Sequence, residues 1–173
     1  DLTRRARIKA SGRLRDKHEF YEKATHLYSL LVLILSIWFI DSTDSTTKTL
    51  LIASLSLTFF TMFLGVKNYK ERASNFESNY QQLNVLLNKM QRLETTPSKI
   101  DQSKLKELHR DYEKLIIEKE NHIDIDYMLC KPEFEVKYKD KITKYRQIDL
   151  LKKVMVYIPL IIGSIYFLIK VSH

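Results

Sequence analysis

Residues 49–66 read TLLIASLSLTFFTMFLGV and contain no Asp, Glu, Lys or Arg. Two more such uncharged stretches occur, at 24–40 and 154–169. A bilayer core is about 30 Å thick and a helix rises about 1.5 Å per residue, so roughly 20 apolar residues cross it and about 17 is near the lower limit. All three stretches are short but admissible. Each holds ten Leu, Ile, Val or Phe. At about −0.3 to −0.6 kcal/mol apiece near a helix centre, these sum to at most about −3 to −6 kcal/mol of insertion energy. A buried helix of a soluble bundle normally keeps a polar stripe, and these stretches have none. The expected fold is an all-α membrane protein. Residues 1–23 form a basic cytoplasmic helix, 24–66 two adjacent transmembrane helices, 67–153 a cytoplasmic helical domain built on a hairpin, and 154–170 a third transmembrane helix.

The charged remainder sets the orientation. The chain carries a net charge of +8, and its mean hydropathy of −0.27 averages greasy spans with strongly charged segments. Residues 1–26 hold eight Lys or Arg against four acids, and 67–153 hold nineteen against fifteen. The loop 41–48 has one Lys against Asp41 and Asp44. Bases near span ends stay on the cytoplasmic side, and Lys67, Lys70, Arg72, Lys152 and Lys153 all flank spans on that side. The N-terminus and residues 67–153 are therefore expected in the cytoplasm, with 41–48 and 170–173 outside. A basic segment before the first span, no small-residue cleavage pattern after Trp38 and a second span soon afterwards exclude a cleaved secretory signal. The chain opens at Asp1 rather than Met, so at least one upstream residue is expected.

Within the first segment, Arg4, Arg5, Arg7, Lys9, Arg13 and Arg15 form a basic helix whose apolar face, Ala6, Ala10 and Leu14, is thin. Such a helix suits the anionic leaflet, at about 1 kcal/mol per base near the surface. It also suits a nucleic-acid partner, because the same bases neutralise phosphates. Charge alone does not separate the two.

Beyond the second span, Phe76, Tyr80, Leu83, Leu87 and Met90 recur at intervals of four and three, a coiled-coil seam. Leu93 closes that run. Residues 95–98, with Pro97, form a turn, and Asp101 or Ser103 caps a second helix whose seam is Leu105, Leu108, Tyr112 and Leu115. The pair reads as an antiparallel helical hairpin. Residues 120–131 lose the helical period. Pro132 then suits a first helical position, with Glu133 and Glu135 favourable in the first turn, and one long helix is expected from Glu133 into the third span. Pro159 and Gly163 mark a bend there.

Three glycines exclude phosphate-cradling loops, and no nucleophile elbow, zinc-protease signature or cysteine pair occurs. No enzyme activity, cofactor or metal is expected. Cys130 stands alone and reads as a reduced, inert thiol. His122, Asp124 and Asp126 share a face only in an extended strand, and a metal would want a fourth donor and supporting shell. A polar hinge is the simpler reading, a catalytic site the sharper one. In the spans, Ser54, Thr58 and Thr61 fall at i, i+4 and i+7, and Ser29 and Ser36 at i and i+7. Hydroxyls so placed either pack helices closely or line an oligomeric channel, with Asp41 and Asp44 at its external mouth.

RRARIKASGRLRDKHEF at 4–20, running into a first span, with a short polar loop, a second span, a long cytoplasmic helix and ENHIDIDY at 120–127, resembles the SLATT family. These are two-transmembrane effectors of bacterial conflict systems. The resemblance covers essentially the whole chain and points to the fifth branch, often encoded beside a reverse transcriptase. Its most specific parts are residues 4–15 and 120–127, the latter with Asn121, His122, Asp124, Asp126 and Tyr127. The third apolar stretch is one more than the family's two. The resemblance implies a pore-forming effector of the bacterial inner membrane, homo-oligomeric and multi-pass, that damages the cell's own membrane in abortive infection. A neighbouring reverse transcriptase or nucleotide-signal sensor would be its partner. A membrane-anchored scaffold tethering a nucleic-acid-processing partner is the alternative.

Overall fold

No proline interrupts residues 2–38, and in the computed structural model they form one helix, α1 (Leu2–Trp38), 37 residues long. The basic segment and the first apolar stretch thus share a single helix. The structure describes residues 1–40, 44–95, 102–117 and 120–172. Every regular element among them is helical: α2 (Asp44–Lys67), α3 (Tyr69–Glu94), α4 (Gln102–Ile117), α5 (Asp124–Met128), α6 (Pro132–Lys137) and α7 (Lys139–Ser172) follow α1. The expected loop 41–48 is shorter than its sequence suggests, because α2 already begins at Asp44. Of the turn expected at 95–98 and the cap expected at Asp101 or Ser103, residues 96–101 lie outside the described residues, and Ser103 lies within α4.

Two junctions interrupt the helical path. Between α2 and α3, Asn68 takes φ 44°, the left-handed region that Asn enters more readily than most residues. Its N–H still reaches the carbonyls of Leu64 and Gly65, at 3.2 and 3.1 Å. The helix expected from Glu133 is divided at Tyr138 (φ −109°, ψ 22°) into α6 and α7. There the Phe134 ring lies against both Tyr127 and Tyr138, with centroids 4.9 and 6.4 Å away. The backbone bonds from Tyr138 N–H to Phe134 and from Ile142 N–H to Tyr138 are kept. Pro132 occupies the start of α6, where its missing N–H costs nothing, and Glu133 and Glu135 sit in the first turn. Pro159 lies inside α7.

The chain packs as two compact units, Asp1–Arg15 with Lys70–Thr143, and Asp16–Tyr69 with Lys144–His173. Packing thus groups the start of the chain with the hairpin. The first unit buries Ala6, Ala10 and Leu14 of α1 against Ala73, Phe76, Leu83 and Leu86 of α3, Leu108 of α4, Ile125, Cys130 and Ile142. Asn79 donates to the carbonyl of Leu115 near the end of α4, while farther along α3 Leu87 and Met90 line one apolar groove with Leu105 and Leu108 of the first half of α4. The hairpin is therefore antiparallel. Its buried face on α3 is Ala73, Phe76, Asn79, Leu83 and Leu86, rather than the expected seam through Tyr80, Leu87 and Met90. The cause is α1, which packs on α3 and draws the face toward itself.

The second unit is held by contacts between α1, α2 and α7. Tyr28 Oη donates to the Val156 carbonyl at 2.5 Å. Gly163 lies beside Leu31, whose Cδ2 would stand 3.2 Å from an added Cβ. The outer surface of the unit is apolar: Phe59 is 73% exposed, Val66 84%, and Leu33, Ile37, Ile161 and Ile162 are all more than half exposed. In water such a surface would be an aggregation liability. Among the described residues one helical stretch, Thr47–Glu94, is long and apolar enough to cross a membrane by length and composition.

Candidate functional site

The basic face of α1 turns out to be largely a docking face. Arg7 is 1% exposed, which corrects its place on a basic surface. Its guanidinium donates to Asn79 Oδ1, to the Leu115 carbonyl at 2.9 Å and to that of Ile116 at 3.2 Å. It therefore caps the last turn of α4, where orphan carbonyls and the negative end of the helix dipole favour a cation. Burial lowers the Arg7 pKa, with Tyr112 acting the other way, and the group stays charged because its ordinary value is so high. Asn79 is fully buried and completes the clamp through the Leu115 carbonyl, at 2.9 Å.

Arg13 forms the second tie. Its Nε and Nη2 donate to Asp126 Oδ1 and Oδ2 at 2.8 and 3.0 Å. Arg15 pairs with Glu77 at 2.5 Å, Arg4 bonds Asp1 and Asn84, and Arg5 bonds Asp1. Ser11 donates to the Ala73 carbonyl at 3.0 Å. Lys9 is exposed. Of the six bases, Arg7 and Arg13 are thus structural, and Arg4, Arg5 and Arg15 are engaged at the surface.

Residues 120–127 close around the same helix. Asp126 is fully buried. Besides Arg13, its Oδ2 accepts from the Ile123 N–H at 3.1 Å, which caps the short α5. Asn121 Oδ1 accepts from the His122 N–H, and Arg72 pairs bidentately with Glu120. His122 is half-buried, Asp124 is exposed and Tyr127 lies against Phe134. His122, Asp124 and Asp126 therefore do not converge, and among the described residues no three His, Cys, Asp or Glu gather as a metal site. The segment is tied to α1 by Asp126. Cys130, four residues on, is buried, and that burial pushes its thiol pKa up against the lowering influence of Lys131, Arg5 and Lys9.

The hydroxyls of the uncharged stretches bond within their own helices. Ser29 donates to Thr25, Ser36 to Val32, Ser54 to Leu50, Thr58 to Ser54 and Thr61 to Thr58, all through backbone carbonyls at 2.7–3.0 Å. Ser29, Thr58 and Thr61 are exposed, and Ser36 and Ser54 half-exposed. None of these bonds crosses to another helix. Each hydroxyl proton is satisfied and its oxygen keeps acceptor capacity for a partner outside the protomer. Asp41 lies outside the described residues. Asp44 opens α2.

An aromatic cluster that the sequence did not single out joins the helices of the uncharged stretches. Tyr21 stacks on Tyr69, with centroids 5.9 Å apart, and meets Phe60 edge-on at 6.2 Å. Phe20 meets Tyr157 edge-on, and Lys153 lies over the Phe20 ring at 5.7 Å. Aromatic rings and bases gather at membrane–water boundaries, and Phe20, Tyr21 and Tyr69, just outside the uncharged stretches, were the available signal. Burial, with Tyr69 and Asp149 nearby, raises the Tyr21 pKa, and the hydrogen bond to Asp149 raises that of Lys153.

By class this is a helical protein, all of whose described regular elements are helices and one of whose helical stretches is long and apolar enough to cross a membrane. The profile of SMODS and SLOG-associating 2TM effector domain family 5 matches residues 1–170, and the chain belongs to that family. Neither a curated protein nor a solved structure matches it.

Proposed function

We propose that the chain is a multi-pass effector of the bacterial inner membrane in an antiphage defence system. It is held quiescent until a partner sensor releases it, and it then opens a homo-oligomeric pore that ends in abortive infection. The observation that supports this most is the apolar exterior of the second unit, where all three uncharged stretches present large hydrophobic side chains outward. The family's description as a two-transmembrane effector supports it from another side. In this reading residues 24–40, 49–66 and 154–169 are three spans, with the N-terminus and hairpin in the cytoplasm. Ser29, Ser36, Ser54, Thr58 and Thr61 form the oligomer or pore face, and Asp41 and Asp44 sit at the mouth. No step is catalytic and no cofactor takes part. The partner is a reverse transcriptase or a nucleotide-signal sensor encoded nearby.

The alternative, a scaffold tethering a nucleic-acid-processing partner through a basic surface, has less support, because Arg7 and Arg13 are spent on internal contacts. The test is membrane potential recorded in cells expressing the chain with an unrestrained partner. Depolarisation at the onset of growth arrest is the expected result. Arrest at unchanged potential removes the pore and favours the scaffold.

A further inference from the structure

The N-terminal part of α1 is fastened in an unusual way. Its buried apolar contribution is two alanines and a leucine, Ala6, Ala10 and Leu14, beside the small Ser11. Little hydrophobic area is removed from water by so thin a stripe, since burial energy scales with apolar area. Polar contacts carry the remainder: Arg7 to Asn79 and the α4 carbonyls, Arg13 to Asp126, and Ser11 to Ala73. Interfaces that must open tend to be polar in this way, whereas permanent ones are apolar. A buried ion pair is weak evidence for stability and its best-attested use is as a registry or switch element. Arg13 and Trp38 also lie on one helix with no break between them. Whatever holds or frees residues 1–15 acts on the same helix that carries the first uncharged stretch.

We infer that the Arg13–Asp126 pair is an autoinhibitory latch: closed, it fixes α1 in the first unit, and its opening frees the helix and activates the effector. The inference rests on the pore reading for its final step only. The latch itself has an independent reporter in Cys130, which is buried four residues beyond Asp126 and feels the charges of Arg5 and Lys9 on α1. Release of α1 uncovers that thiol.

The experiment uses the full chain in membranes, without a trigger, and reads both the alkylation rate of Cys130 by iodoacetamide after permeabilisation and the membrane potential. Asp126→Asn should raise the alkylation rate by about tenfold or more, as expected of a local opening, and should depolarise cells. Reversing the pair with Arg13→Asp and Asp126→Arg should return both readings toward those of the native chain. Leu108→Ala weakens the same unit by a core cavity while leaving the latch residues in place, and Lys104→Ala is a surface control. Cys130 as slow in Asp126→Asn as in the native chain overturns the latch. So does depolarisation by Leu108→Ala equal to that by Asp126→Asn, which would make any loosening sufficient. Unmasking of Cys130 by Asp126→Asn with restoration in the reversed pair, at unchanged potential, upholds the latch and removes the pore.

Discussion

Arg13 and Asp126, far apart in sequence, meet as a two-pronged ion pair with bonds of 2.8 and 3.0 Å. The pair joins the two most distinctive parts of the sequence, residues 4–15 and 120–127. A motif at each end of a chain need not imply contact, but here the carboxylate of one is the principal partner of a base in the other. Asp126 also accepts from the Ile123 N–H. The acidic motif therefore reads as a receptor for the basic helix, and its chemistry is recognition within the chain.

The second clamp predicts a stability loss. Asn79→Ala leaves a buried Arg7 donor and the Leu115 carbonyl with fewer partners, and an unpaired buried polar group costs about 1–3 kcal/mol. Urea unfolding in detergent micelles, followed by helical circular dichroism, should show a loss of that size. Arg7→Met together with Asn79→Leu should cost less than the sum of the separate changes, since both act on one network. A midpoint unmoved by Asn79→Ala would mean that the clamp contributes nothing.

Particular residues show what the sequence makes legible. The uncharged stretches need no partner to be read, and each falls almost wholly within a helix of the structure. The hairpin's existence and direction follow from its repeat and turn chemistry. Its buried face does not, because Ala73 and Asn79 carry no hydrophobic signal and the helix that covers them, α1, comes far earlier in the chain. Arg7 reads as a surface residue because arginine is seldom fully buried, and its hydrogen-bond acceptors include backbone carbonyls that leave no trace in the composition. His122 and Asp124 stand out by spacing alone, and the fold keeps them apart from any common site.

Helix contact in the second unit makes Gly163 sensitive to size. An added Cβ would lie 3.2 Å from Leu31 Cδ2, the mobile end of a side chain. Gly163→Ala should therefore be tolerated within about 1 kcal/mol, because Ala gains about that much in helix propensity. Gly163→Phe should separate α7 from α1, a cost of overpacking of about 1–3 kcal/mol. Thermal aggregation midpoints in detergent should fall for Phe and hold for Ala. Equal behaviour of the two would place no helix against Gly163.

Topology is best read from a residue other than Cys130. Its thiol is buried and its pKa raised, so thiolate, the reactive form, is scarcer at neutral pH and alkylation should quicken only as pH rises past the ordinary cysteine range. Protection of Cys130 in intact cells thus reports burial as well as sidedness. Val136, 80% exposed, is the better reporter. In a Cys130→Ser background, Val136→Cys should resist an impermeant thiol reagent in intact spheroplasts and react after lysis, while Ser45→Cys should react in both. Labelling of Val136→Cys alone in intact spheroplasts would invert the proposed orientation.

The proposed pore face is tested at Thr58. Its hydroxyl is exposed and donates to the Ser54 carbonyl of its own helix at 2.9 Å, so Thr58→Leu removes no bond between helices of the protomer and adds apolar surface suited to lipid. Insertion and abundance should be unchanged. If subunits turn Ser54, Thr58 and Thr61 toward a shared passage, the leucine replaces a group that holds water and narrows a constriction prone to dewetting. Single-channel conductance in planar bilayers and toxicity in cells should then fall together, with oligomer size in detergent preserved. A smaller oligomer would assign the hydroxyls to packing between subunits instead. Replacing Asp41 and Asp44 by Asn is the companion measurement, because a ring of external carboxylates concentrates cations at the mouth. The reversal potential under a salt gradient should shift toward zero at unchanged conductance, and a variant with native selectivity would remove both acids from the permeation path.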